Sequence, residues 1–244
     1  MKSMLLAGLI VMASAANASE VTVLAASSLQ GPLDQVTTNW ERLTGNTVTI
    51  TYSSSQELAA SLIAGGSADI FISATPDLID GLQAVGRVTA RVDFLGNRLV
   101  LIANGVDAPP VDLRDLPALL GNGLLSIALV DGTLAGQYTK TALVDLGLWG
   151  DLSRSIVQSD SLRGALDYVA RGEAPFGIVY ATDTASAAGV SIVATFPTDS
   201  YPPIVYTAAL LSQATGLASR AFFDALSAAS ADVIFSRAGF AVLD

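Results

Sequence analysis

Between Val21 and Leu33 the chain reads VTVLAASSLQGPL, a short apolar run that breaks at two serines and opens directly into an amphipathic pattern. The same joint recurs where Val48, Ile50 and Tyr52 alternate with polar residues and run into Ser54-Ser55-Gln56-Glu57. In both places a serine is followed three residues later by Gln or Glu, the spacing of a capping box. Ser27 and Ser54 are therefore the expected N-caps, and Ser28 and Ser55 fall at the first helical position. A capping box is a structural device that needs no ligand. The serine after each cap is not required for capping, however, and it brings a hydroxyl to a helix mouth with unpartnered N–H groups and the positive end of a dipole. Two such mouths facing one another would make an anion site.

The rest of the chain continues the alternation. A first helix is predicted with Leu29, Leu33, Val36, Trp40 and Leu43 on one face and Gly45 as its stop. Strand Thr47–Tyr52, helix Gln56–Ala64 and the doubly apolar strand Ala68–Ser73 follow. A helix opened by Thr75-Pro76 then buries Ile79, Leu82 and Val85. Phe94–Ala103 reads as one long apolar strand, with Asn104-Gly105 and Pro109-Pro110 marking a passage between lobes. Beyond it the pattern predicts strands at Leu124–Val130, Ser155–Gln158, Phe176–Tyr180, Val190–Phe196 and Ile204–Leu211. Helices are expected at Ala135–Leu146 and Leu162–Ala170, and two more return at the C-terminal end. The reading is α/β, two lobes, each a mostly parallel sheet flanked by helices. Crossings at Leu99–Ala103 and Pro197–Pro203 would form a hinge. The expected division is 19–98 with 204–244 for one lobe and 99–203 for the other.

Met1–Ala18 carries Lys2, an apolar core and the exit Ala16-Asn17-Ala18, the pattern of a cleavable secretory signal ending at Ala18. No later stretch reads as a membrane span, and with no cysteine there is no lipid-anchor thiol. Export without an anchor points to a periplasm and a monomeric carrier. The formal charge of −10 disfavours nucleic acid and acidic membrane surfaces as partners. It also means that an anion site here would work through local neutral donors. With no His and no Cys the usual general base, thiolate nucleophile and transition-metal ligands are missing. Lys140, the one lysine after Lys2, falls in mid-helix and reads as a solvated charge.

Three further stretches join the serine motifs. Asp131-Gly132-Thr133-Leu134-Ala135-Gly136 opens a helix and leaves the Ala135 N–H available. Asp160-Ser161-Leu162-Arg163-Gly164 opens another, with Ser159 or Asp160 as cap and the Leu162 N–H in the first turn. Tyr180 ends the strand FGIVY and offers one phenolic donor. Singly, each also reads as ordinary structure.

Together with VTVLAASSLQ, the stretches SSSQELAASLIAGGSADIFISA, LAGQYTKTALVDLGLW, SLRGALDYVARGEAPFGIVYATD and GVSIVATFP resemble the periplasmic molybdate-binding proteins of ABC importers, in order from Val21 to Phe240. The resemblance implies a two-lobed type II periplasmic-binding-protein fold, no enzymatic activity and no cofactor. It implies a molybdate or tungstate oxyanion held without direct metal coordination, and a membrane permease as partner. Its ligand groups would be Ser28 and Ser55 from the first lobe and Ala135, Leu162 and Tyr180 from the second. Leu162 stands where the family often has valine, and Gly132 and Leu134 replace prolines common before the Ala-Gly pair. Arg163 gets no ligand role and reads as part of a surface ion pair. A carrier for sulfate or phosphate is the alternative within this class, and an exported sensor subunit or enzyme of the same fold the alternative outside it.

Overall fold

In the computed structural model, which describes residues 18–185 and 187–243, two sheets are laid down almost in sequence. All but the last residue of the signal read over Met1–Ala18 lies outside the described residues. The first half of one lobe runs β1 (Glu20–Ala26), α1 (Gln30–Thr44), β2 (Thr47–Ser53), α2 (Ser55–Ile63), β3 (Ile70–Ser73), α3 (Pro76–Ala84) and β4 (Val88–Asn97). The other lobe follows with β5 (Leu99–Asn104), α4 (Leu116–Leu120), β6 (Leu125–Ala128), α5 (Leu134–Asp145), α6 (Trp149–Leu152), β7 (Ile156–Ser159), α7 (Leu162–Ala170), β8 (Phe176–Tyr180), α8 (Ala181–Thr184) and β9 (Val190–Thr195). The chain then returns through β10 (Ile204–Leu211), α9 (Leu217–Ala225), α10 (Ala229–Arg237) and β11 (Ala241–Val242).

Strand order is β11-β4-β10-β3-β1-β2 in one sheet and β7-β6-β8-β5-β9 in the other. The strands joined by helices, β1 with β2 and β3, and β6 with β7 and β8, pair in parallel. The pairings of β10 with β3 and β4, of β11 with β4, and of β5 with β8 and β9 are antiparallel. The sheets are therefore mixed, where the βα rhythm suggested mostly parallel ones. The difference comes from β5 and β10, the strands entered on leaving each crossing, and from β11, which run against the βα units, whereas β4 and β9, which lead into the crossings, run with them.

Burial follows the two-residue period of the strands. In β3, Ile70 and Ile72 enter one apolar cluster and Phe71 the opposite one. In β5, Leu99, Leu101 and Ala103 face one side, Val100 and Ile102 the other. Strands buried on both faces have no polar alternation, which is why both read as continuous apolar runs. The C-terminal helices close the first lobe: Trp40 of α1 meets Phe222 of α9 edge-on at 5.1 Å, and Phe94 of β4 meets Phe235 of α10 at 5.6 Å.

Three expectations need correction. Leu43, expected on the buried stripe of α1, is 80% exposed, since the last turn of that helix is left uncovered. Val85 is likewise exposed, because it is the non-helical residue that ends α3. The apolar run Phe94–Ala103 is two strands in different sheets, divided at Arg98: Asn97 pairs with Ile204 in the first sheet and Leu99 with Tyr180 in the second. The passage between lobes is thus at Arg98, and the Asn104-Gly105 turn lies within the second lobe. The return crossing lies beside it, with the Leu99 N–H donating to the Tyr201 hydroxyl at 3.1 Å and the Phe196 N–H to the Leu99 carbonyl at 3.0 Å. Among the described residues no helix is long and apolar enough to cross a membrane.

Candidate functional site

At the first serine joint the chain makes a 3-10 turn, Ser27–Leu29, before α1 begins. Ser27 is therefore inside a turn, and its side chain makes no capping bond. The capping role predicted for it is not realised. Ser28 is exposed toward the interlobe side, and its Oγ lies 2.9 Å from the hydroxyl of Tyr206, which is fully buried beneath it.

The second joint behaves as its sequence predicts. Ser54 Oγ accepts the Glu57 N–H at 3.2 Å, and the Glu57 side chain reaches back to the Ser53 hydroxyl. These bonds to Ser53 and Ser54 hold the Glu57 carboxyl below its ordinary range. Ser55, 5% exposed, accepts the Ala74 N–H at 3.0 Å, which fixes its side chain to the end of β3.

In the second lobe Thr133 caps α5 by accepting the Gly136 N–H at 2.9 Å, so Leu134 and Ala135 take the first two helical positions, where an N–H has no intrahelical acceptor. Ser161 caps α7 by accepting the Gly164 N–H at 3.1 Å, replacing the expected Ser159 or Asp160, and Leu162 is the first helical residue. The two glycines after these caps permit close approach of each helix to a strand end. A Cβ on Gly136 would lie 2.2 Å from the Leu129 carbonyl oxygen, and one on Gly164 would lie 2.0 Å from Ser159 Oγ. Arg163 points away and pairs with Asp167 at 3.1 Å on the exposed face of α7. Lys140 is also exposed, with its ammonium 5.4 Å from the Trp149 ring.

Tyr180, at the end of β8, is 8% exposed. Burial, and next the neighbouring Tyr206, push its ionisation well above the ordinary tyrosine range, so it remains a neutral O–H donor at any physiological pH. Its backbone N–H donates to Asp183 at 3.0 Å. Burial raises that carboxyl to about 6, against the opposing effects of the Tyr180 N–H and of Arg163.

The N-termini of α2 and α5 and the turn before α7 meet at one interlobe cavity of about 510 Å³, lined by Ser54, Gln56, Gly132, Thr133, Leu134 and Asp160. Among the described residues no basic side chain lines it. Ser28 opens onto a separate cavity of about 390 Å³, which Gln35, Thr182 and Arg237 also line. Tyr206, the hydroxyl partner of Ser28, is also one of the groups that raise the ionisation of Tyr180. The neighbours of Ser55 and Ala135 thus line the first cavity, and Asp160 brings the turn before Leu162 to it.

Two lobes joined by paired crossings, with helix N-termini turned on a cavity between them, define a solute-binding protein of the periplasmic-binding-protein fold. The family model described as bacterial extracellular solute-binding protein matches residues 21–241. The molybdate-binding protein ModA of Escherichia coli (strain K12) is 36% identical over 234 residues, 93% of this chain and 91% of that one. ModA of Haemophilus influenzae is 33% identical over 233 residues, 93% and 92% of the two chains. The solved periplasmic molybdate-binding protein of Azotobacter vinelandii superposes with a TM-score of 0.74 at 23% identity, covering 92% of this chain and all of that one. The chain belongs to the bacterial extracellular solute-binding protein family, in its ModA-like branch.

Proposed function

We propose that this protein captures molybdate, and tungstate with it, between its lobes in the periplasm and delivers it to the membrane permease of an ABC importer, as a carrier without catalytic activity or cofactor. The proposed ligand groups are the hydroxyls of Ser28, Ser55 and Tyr180 and the N–H groups of Ala135 and Leu162. The observation that carries this reading is the meeting of helix N-termini from both lobes at one cavity that no cation lines. The likeness to molybdate-binding relatives at 36% and 33% identity supports molybdate as the anion.

The physics of such a site is donor substitution. A dianion taken out of water without partners is prohibitively costly, whereas converging N–H and O–H groups replace its hydration shell. Neutral donors fixed by a fold also select by size. Sulfate has shorter bonds than molybdate, and in a site spaced for the larger anion some donors would be left unpaired. Calorimetric titration of the purified protein tests this: one molybdate per chain is expected, with sulfate and phosphate ignored at equal concentration. Saturation by sulfate alone would make the protein a sulfate carrier instead.

A further inference from the structure

An oxyanion such as molybdate only accepts hydrogen bonds, and a serine hydroxyl has one hydrogen to give. For Ser28 or Ser55 to hold such an anion, that hydrogen must point outward, and whatever touches the serine oxygen from behind must be a donor. Behind Ser55 this is guaranteed, because its partner is the backbone N–H of Ala74. Behind Ser28 the partner is a hydroxyl, Tyr206, which can donate or accept.

The side chains around Tyr206 decide the direction. Asn97, the last residue of β4, accepts the Arg98 backbone N–H on its Oδ1 at 2.9 Å. A backbone N–H cannot accept, so the amide orientation is fixed and the Asn97 Nδ2 group supplies donors only. One of its hydrogens goes to Thr182 Oγ1 at 2.9 Å. Its other hydrogen is not taken by Thr182, and Asn97 acts on Tyr206 as a donor would, lowering its ionisation. Burial raises the ionisation of Tyr206 and keeps the phenol protonated, against the opposing effects of its neighbours Ser28 and Asn97. With a hydrogen from Asn97 directed at its oxygen, the Tyr206 hydroxyl would have its own to pass on to Ser28 Oγ.

We propose that Tyr206, oriented by Asn97, is a positioning residue of the anion site: its phenol donates to Ser28 Oγ and so turns the single Ser28 hydroxyl hydrogen toward the bound oxyanion. The inference rests on reading Ser28 as a ligand. It gives a reason for a fully buried tyrosine in a largely apolar strand and adds a link between lobes, since Asn97 ends β4 in the first lobe and Thr182 lies two residues after Tyr180 in the second. The two lobe-one serines are then loaded alike, one by a main-chain donor and one by a three-residue side-chain relay.

The test is a calorimetric double-mutant cycle with sodium molybdate on Tyr206→Phe, Ser28→Ala and the pair. Tyr206→Phe keeps the ring and its edge contact with Phe240, and should weaken binding by about five- to tenfold. In the Ser28→Ala background the same change should alter affinity by less than about twofold, because its effect passes through a hydroxyl no longer there. Tyr206→Phe at native affinity, beside a weakened Ser28→Ala, overturns this inference and leaves the ligand reading standing. Losses that multiply in the double variant also overturn it, showing that Tyr206 acts on the fold. Native affinity in Ser28→Ala removes the ligand reading and the inference with it. Should Tyr206→Phe fail to fold, Asn97→Asp serves: a carboxylate only accepts, so the relay reverses, and the loss should be larger where Ser28 is present than in the Ser28→Ala background, where only the added charge acts; equal losses in both overturn the inference.

Discussion

The Ala74 N–H donates to Ser55 Oγ at 3.0 Å, so the buried hydroxyl at the mouth of α2 is held by the end of β3 with its own hydrogen still to give. The adjacent Ser54 has the other task, capping the helix through the Glu57 N–H. The two serines should therefore separate binding from stability. Ser55→Ala is expected to weaken molybdate binding by roughly tenfold or more, the loss of a hydrogen bond to a charged ligand costing on the order of 1.5–3 kcal/mol. Ser54→Ala should leave affinity nearly unchanged and lower stability by about 1 kcal/mol. The same logic makes Ser27→Ala nearly silent in denaturant titration, since Ser27 caps nothing. A Ser27 variant as destabilised as the Ser54 variant would contradict the observed 3-10 turn.

Gly136 is the second point at which the site depends on its support. With the Leu129 carbonyl oxygen 2.2 Å from where a Cβ would stand, Gly136→Ala must push the start of α5 off the end of β6. The contact is with backbone, so no side chain can rotate aside. Overpacking of this kind costs about 1–3 kcal/mol of stability. It would also displace the Ala135 N–H, and titration should show molybdate affinity falling by about tenfold or more. Native affinity in this variant would remove Ala135 from the ligand set.

The fold was legible where local pattern and tertiary structure agree. The βα joints at Ser54, Thr133 and Ser161 show an apolar run, a polar cap and a helical stripe, and those elements lie within a few residues of their expected bounds. Arg98 was not read as a break, although Gly96-Asn97 beside it is a turn-forming pair, because the runs on both sides are apolar and join into one strand-like stretch. The strand changes sheets only because Ile204 and Tyr180 lie on different partners. Among the site residues, caps were placed one or two positions off where several Ser, Thr or Asp residues compete, as at Ser161. Tyr206 escaped notice because IVYTAALL reads as core and its hydroxyl partner is 178 positions away in sequence.

Asp183 gives the protein a predictable pH dependence. Its carboxyl rises on folding from 3.8 to about 6, chiefly through burial, so between these values the folded state holds a proton that the unfolded chain has released. Stability from this group is therefore complete below about pH 4 and is lost as pH rises through about 6. Asp183→Asn keeps an acceptor for the Tyr180 N–H without the buried charge. Ligand-free chemical denaturation should find the variant more stable than the native protein at pH 7.5, by on the order of 2 kcal/mol, with the two converging toward pH 4. An equal difference at both pH values would show that Asp183 does not titrate in this range.

Closure follows from the division of the proposed ligand groups. Ser28 and Ser55 belong to the lobe built on the first sheet, and Ala135, Leu162 and Tyr180 to the other. Neither set alone surrounds an anion, so the ligand gains its full complement of donors only with the lobes together, and it shifts the open–closed equilibrium by that difference in contacts. The crossings at Arg98 and between Thr195 and Ile204 lie side by side, tied by Leu99 to Tyr201 and Phe196, which suits rotation about a common axis. Tyr180 pairs with Leu99 at this axis and supplies the one side-chain hydroxyl expected from its lobe. Tyr180→Phe removes that donor and almost no volume. It should weaken molybdate binding by roughly tenfold, and it should reduce the ligand-induced fall in radius of gyration seen by small-angle scattering when both proteins are compared at saturation. If the native protein binds molybdate with no compaction at all, the anion is held by one lobe and the hinge has no part in capture.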